Sequence, residues 1–181
     1  MPHLPLPSDA FGIVSLFAWR PETAVPLRAL AETLLRGPST LGRGERELIA
    51  AYVSTLNECD FCAGSHAAVA ARQLEGGREV VTAWLKGRYE GSSRGKLAAL
   101  LVLAGQVQKS GRAVTEDAVA AARQQGATDV EIHDTVLIAA AFCMFNRYVD
   151  GLATVAPPHP SFYDAAAERL TRDGYLGRPG V

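Results

Sequence analysis

The sequence predicts an all-α protein, and three observations carry that expectation. Apolar residues recur at spacings of three and four along nearly the whole chain, and the composition is rich in Ala, Leu, Arg, Glu and Gln. No stretch shows the two-residue alternation of a half-buried strand. The stop signals Gly37-Pro38, Gly76-Gly77 and Pro157-Pro158 fall between the periodic segments.

Each helix follows from its own signals. Residues 22–36 form an amphipathic stretch opened by Pro21 and closed at Gly37-Pro38. Residues 44–57 form the next, and the absence of charge from Leu48 to Asn57 predicts that other helices enclose it. A third helix runs from Asp60, read as its cap, to Leu74 before Gly76-Gly77. A shorter one over 78–86 leads into a loop from Gly87 to Gly95. Lys96 to Lys109 is strongly apolar on one side, and Gly111 breaks it. Thr115 supplies a capping hydroxyl for a helix with early acids that ends at Gly126. Thr128 and Glu131 have capping-box spacing and open a long helix towards Leu152. Ser161 to Arg172 is the last helix, followed by a glycine-punctuated tail from Gly174 to Val181.

Bulk properties narrow the class of function. With 181 residues and 48% hydrophobic content the chain can bury a large core, and residues 1–181 are read as one domain. A net charge of −1, from 18 basic and 19 acidic residues, gives no electrostatic footprint for nucleic acid or an anionic membrane. The apolar runs Leu97–Gly105 and Thr135–Phe145 fall short of the ~20 residues a membrane span needs. Met1 to Pro7 carries no basic residue, and none appears before Arg20, unlike a secretory signal; the expected location is the cytoplasm. Residues 1–20 form an arm whose apolar segment Ala10 to Trp19 is expected to need a covering surface from a partner subunit.

The chemistry lies in Cys59-Asp60-Phe61-Cys62-Ala63-Gly64-Ser65-His66. A CxxC pair at a helix start places two thiols within disulfide reach, and the positive end of the helix favours a thiolate there. His66, four residues after Cys62, shares its helix face. This is the pattern of a redox dithiol. Zinc is the rival chemistry, with Cys59, Cys62 and His66 as ligands and a carboxylate or His133 as the fourth. Two cysteines packed as small apolar side chains are the plain structural alternative. A dithiol that turns over needs a proton acceptor, and Glu47 is a candidate. Its helix neighbours Ala50, Ala51 and Ser54 form a small face against which another helix can hold the carboxylate. Glu45, Glu58 and Asp60 compete with it as solvated charges or caps. His3, His133 and His159 are read as surface or packing residues and Cys143 as a core residue.

Arg46-Glu47-Leu48-Ile49, Val53-Ser54 and the Cys59/Cys62/His66 spacing together resemble the core motif of the alkylhydroperoxidase D-like (AhpD-like) branch of the carboxymuconolactone decarboxylase superfamily. The later blocks from Val114 to Glu116 and from Phe142 through Asn146-Arg147-Tyr148-Val149-Asp150 resemble the second half of its peroxidase-related subfamily. The likeness spans residues 40–155. It implies an all-α AhpD-like fold with the CxxC at a helix start, and a thiol-dependent peroxidase without metal or organic cofactor. Cys62 would attack the peroxide, activated by Glu47 and His66, and Cys59 would resolve the product to a disulfide. Spacing alone leaves the order of the two cysteines open, because a thioredoxin-like assignment favours Cys59. The resemblance further implies re-reduction by a lipoyl or thioredoxin-like dithiol, and a homo-oligomer, trimer or hexamer. It departs at Phe61, where some redox-active members carry a histidine. Lactone-decarboxylating members lack the CxxC pair. A non-catalytic oligomeric binding protein on the same scaffold is the alternative from another class. Asn146, Arg147 and Asp150 are left between the site wall and a subunit interface.

Overall fold

A computed structural model describes residues 1–87 and 95–176, and every regular element among them is helical. The order is α1 (Gly12–Trp19), α2 (Pro21–Arg36), α3 (Arg43–Leu56), α4 (Asp60–Gln73), α5 (Gly77–Leu85), α6 (Lys96–Lys109), α7 (Glu116–Gln124), α8 (Asp129–Gly151) and α9 (Ser161–Asp173). A 3₁₀ turn, Gly111–Ala113, joins α6 to α7. Most of the loop predicted over 87–95 and the end of the tail from residue 177 lie outside the described residues. No described helix is long and apolar enough to cross a membrane.

The charge-free part of α3 is the hub. It packs against α4, α6 and α8, while α5 and α9 flank α4 and α7 lies on α6. Leu48, Ile49, Ala50, Ala51, Val53 and Ser54 of α3 are all buried, as the absence of charge requires. They meet Leu100, Leu101 and Leu103 of α6 and Ile138 and Phe142 of α8 in one core. Leu35 and Leu41 close that core from the α2–α3 connection.

Polar groups at the helix ends hold the hub in place. Arg46, buried on α3, donates to the carbonyls of Leu34 and Gly37, which the end of α2 leaves without helical partners. Thr128 and Glu131 form the predicted capping box at the start of α8. The buried Glu131 carboxylate also accepts from Lys96 Nζ at 2.6 Å and Thr40 Oγ1 at 3.0 Å. Burial alone would push this carboxyl up, but the Lys96, Thr128 and Thr40 donors outweigh it and hold it below the usual range.

One sequence expectation is corrected here and another is refined. Asp60 does not cap α4: the cap position belongs to Cys59, and Asp60 is the first helical residue, where its charge still complements the helix dipole. The apolar arm is covered in part by its own chain, while Val14 and Trp19 stay exposed. It folds into α1, buries Ser15, Leu16 and Phe17, and packs on α2 and α8 of its own chain.

The start of α1 also roofs the start of α4. Gly12 has a φ of +52°, and a Cβ there would fall inside the Phe61 ring. On the other side Tyr163 of α9 lies against Gly64, where a Cβ would come within 2.8 Å of its ring. Gly12→Ala combines left-handed strain with a core clash, so it is expected to destabilise the fold by about 2 kcal/mol. A thermal or urea unfolding comparison checks this, and an unchanged midpoint would contradict the roof described here.

Candidate active site

The turn between α3 and α4 sets the two cysteines. Glu58 takes a left-handed φ of 58°, and the Cys59 amide donates to the Ser54 carbonyl at 3.0 Å, so the chain reverses within three residues of the end of α3. The Cys59 carbonyl then accepts from Ala63 and begins α4. Cys62 therefore occupies the first turn, where free backbone N–H groups favour negative charge. Both thiols are buried and unlinked.

Their surroundings differ, and the difference polarises the pair. Hydrogen bonding with Cys62, burial, the Cys62 charge and the neighbouring Asp150 carboxylate push the Cys59 thiol far up. The same hydrogen bonding holds the Cys62 thiol below its ordinary value, helped by the charge of His66 and by the Asn146 amide, against burial and Asp150. Burial pushes the Asp150 carboxyl up, with Asp60 adding to the shift and the Cys59 thiol opposing it.

Behind Cys62 stands a buried acid–imidazole pair. Glu47 is 1% exposed, and its Oε2 lies 2.7 Å from His66 Nδ1. The small face of Ala50, Ala51 and Ser54 predicted around Glu47 is buried with it in the hub helix. The Phe142 ring meets the His66 ring edge-on at 4.6 Å. Tyr175 supplies what sequence reasoning missed. Its hydroxyl donates to Glu47 Oε1 at 2.7 Å, and its ring stacks on His66 with centroids 6.0 Å apart. A lone tyrosine in a glycine-rich tail offers no periodicity or motif by which to find it.

On the other side, α8 provides a polar wall. Asn146 Nδ2 donates to Ser54 Oγ at 3.0 Å, and Asn57 Nδ2 donates to Asn146 Oδ1 at 2.8 Å. Gln108 steadies Asn57 through a 2.9 Å bond. A cavity of about 490 Å³, lined by Asn57, Asn146, Arg147, Asp150 and Gly151, opens onto this wall. Of the three α8 residues left open by the sequence, Asn146 and Asp150 reach the dithiol. Arg147 is exposed and donates to the Cys143 carbonyl. Phe61 packs with Val149, Phe11 and Tyr163 as an apolar cover for the thiols rather than as a hydrogen-bonding group.

The competing candidates lie elsewhere. Glu45 caps α3 by accepting from the Gly42 amide, and Glu58 is an exposed turn residue. His133 is exposed beside Asp134, and His159 bonds Ser161. No three His, Cys, Asp or Glu side chains among the described residues gather into a metal-binding group, so His133 does not join the thiols. Cys143 is half-buried, with Asn57 Nδ2 at 3.7 Å from its sulfur, rather than wholly within the core.

Residues 21–104 match the model of the carboxymuconolactone decarboxylase family. Over that segment the chain is similar to the family. The matched region contains Glu47, Cys59, Cys62 and His66, whereas Asn146, Asp150 and Tyr175 lie beyond it. Two solved family-like folds superpose closely. An uncharacterised peroxidase-related protein from Silicibacter sp. TM1040 has a TM-score of 0.74 at 23% identity, over 84% of this chain and 78% of its own. A peroxidase-related protein with an alkylhydroperoxidase AhpD core from Ralstonia eutropha JMP134 has a TM-score of 0.74 at 24% identity, over 86% and 80%. No curated protein matches the sequence. The chain therefore has the all-α AhpD-like fold expected from its motif.

The polarised dithiol dictates which thiol reacts. At neutral pH a small alkylating agent is expected to label Cys62 ahead of Cys59, read by peptide mass spectrometry. Because the Cys62 value is lowered, its labelling should persist below the pH at which an ordinary thiol, near 8.5, fades, and be lost only as pH falls further. Labelling of Cys59 first would reverse the assignment.

Proposed function

We propose that this protein is a thiol-dependent peroxidase, with Cys62 as the peroxidatic thiolate and Cys59 as the resolving thiol. The observation that carries the reading is the buried Glu47–His66 pair one helical turn from Cys62, with Cys59 beside it at the same helix start. The Cys62 thiolate attacks one peroxide oxygen, the O–O bond breaks, and the departing alkoxide leaves as an alcohol with a proton relayed from His66. Glu47 steadies the positive charge on the imidazole before that transfer. Cys62 is then a sulfenic acid. Cys59 gives up its proton and attacks the Cys62 sulfur; hydroxide leaves and departs as water with that proton, and a Cys59–Cys62 disulfide remains.

An external dithiol must return two electrons and two protons to complete the cycle. A lipoyl group or a thioredoxin-like protein fits that role, and a trimeric or hexameric assembly belongs to the same proposal; family resemblance supports both. The polar cavity beside Asn146 and Asp150 supports an approach for the peroxide from the α8 side. Phe61 makes the cover over the thiols apolar, which supports an organic hydroperoxide in preference to hydrogen peroxide.

Stopped-flow mixing of the reduced protein with one equivalent of an organic hydroperoxide tests this. A fast phase ending in the intramolecular disulfide is expected. Cys59→Ser should stop at a sulfenic acid trapped on Cys62, and Cys62→Ser should lose the fast phase. Glu47→Gln should slow it by about 10²-fold, the usual scale for loss of a general acid–base partner. Oxidation no faster than that of an ordinary exposed thiol would leave a non-catalytic dithiol on a binding scaffold.

A further inference from the structure

The tail beyond α9 enters the site by a built route. Gly174 takes a φ of +80°, and a Cβ there would collide with the Glu32 carboxylate, so the chain passes close over α2 at a point where glycine fits. The Tyr175 amide then donates to Glu32 Oε2 at 2.7 Å. Glu32 is itself held by Arg36 Nε at 3.1 Å, and the same guanidinium donates to the carbonyls of Leu170 and Thr171 at the end of α9. Four groups from α2 and α9 thus fix where the Tyr175 ring points. It points at Glu47 Oε1, the carboxylate oxygen that His66 does not use.

We infer that Tyr175 is a positioning residue for the Cys62 centre: its hydroxyl completes a buried Tyr175–Glu47–His66 chain that fixes the Glu47 carboxylate and, through it, the His66 ring. The chemical reason is specific to burial. Glu47 is almost wholly shielded from water, so an oxygen without a protein donor would carry the full desolvation cost. Arg46, its sequence neighbour, directs its Nη1 to the carbonyls of Leu34 and Gly37. Removing the tyrosine hydroxyl strips one donor from a buried oxygen, and the Glu47 carboxylate and the His66 ring it holds lose their fixed place beside Cys62. Cys62 then loses part of the positive field that favours its thiolate.

The charged and titratable groups facing this chain are few. Glu32 and Arg36 approach Tyr175 from α2, Cys62 lies one turn before His66 on α4, and α8 presents the Phe142 ring to His66. Asp150 acts on the far side of the thiols. Burial, with Glu47 beside it, pushes the Tyr175 phenol well above its ordinary value, which keeps it a donor throughout the working pH range.

The inference deepens the peroxidase reading, yet its test needs no peroxide. The pH dependence of Cys62 alkylation is measured for the wild type and for Tyr175→Phe, which keeps the ring and removes only the hydroxyl. The midpoint is expected to rise by about one unit, equivalent to a tenfold loss of thiolate well below it. Tyr175→Ala should show the same rise together with a lower melting temperature, and it serves as the second arm should either variant fold poorly. Midpoints unchanged in the folded variants, with only melting affected, would reduce Tyr175 to packing and overturn the proposal. A shifted midpoint in a protein that reacts slowly with hydroperoxide would uphold the role of Tyr175 and discard the peroxidase reading.

Discussion

The site depends on a carboxylate that the core has enclosed almost completely. A charged group in such a place is costly by several kcal/mol unless its oxygens are matched by donors. Glu47 lies on the hub helix, between the uncharged core of α3 and the first turns of α4, and its oxygens are matched by His66 and Tyr175. Each of these partners is carried by a different segment. The need to match one carboxylate therefore ties α3, α4 and the segment after α9 into a single arrangement, and the two cysteines inherit their positions from it.

That arrangement turns a symmetric motif into a directional one. In a bare CxxC at a helix start the dipole acts on both sulfurs, and spacing does not say which becomes the thiolate. Here the tertiary surroundings decide. His66 and Asn146 favour charge on Cys62, while Asp150 disfavours it on Cys59. Asn146 and Asp150, one turn apart on α8, thus act in opposite senses on Cys62, and Asp150 opposes charge on Cys59 as well. Phe61, Phe11 and Tyr163 cover the pair with apolar surface, which strengthens each of these electrostatic effects.

Much of this was legible in the sequence because it rests on local rules. Lys96 to Lys109 emerges as a helix with the expected bounds, and the Thr128–Glu131 capping box is formed. His66 was legible beside Cys59 and Cys62 through helix spacing, whereas Glu47 stood among other acids and was singled out by the family resemblance; the packing of α3 on α4 brings it to His66. Long-range donors were not legible. Tyr175 reaches Glu47 through a tail with no periodicity, and Asn57, which orders Asn146, appears in sequence only as the last residue of an uncharged run. The arm was only partly legible for a related reason. Its apolar surface was visible, but the α2 and α8 surfaces that cover part of it exist only in the folded chain.

The most direct measurement is a pH titration of thiolate ultraviolet absorbance in the reduced protein and in Glu47→Gln, with Cys62→Ser used to assign the signal. A Cys62 midpoint below the ordinary thiol value of about 8.5 in the wild type, rising by a unit or more when Glu47 loses its charge, is the expected result. A midpoint at or above that value, or one indifferent to Glu47, would contradict a thiolate set by the buried carboxylate.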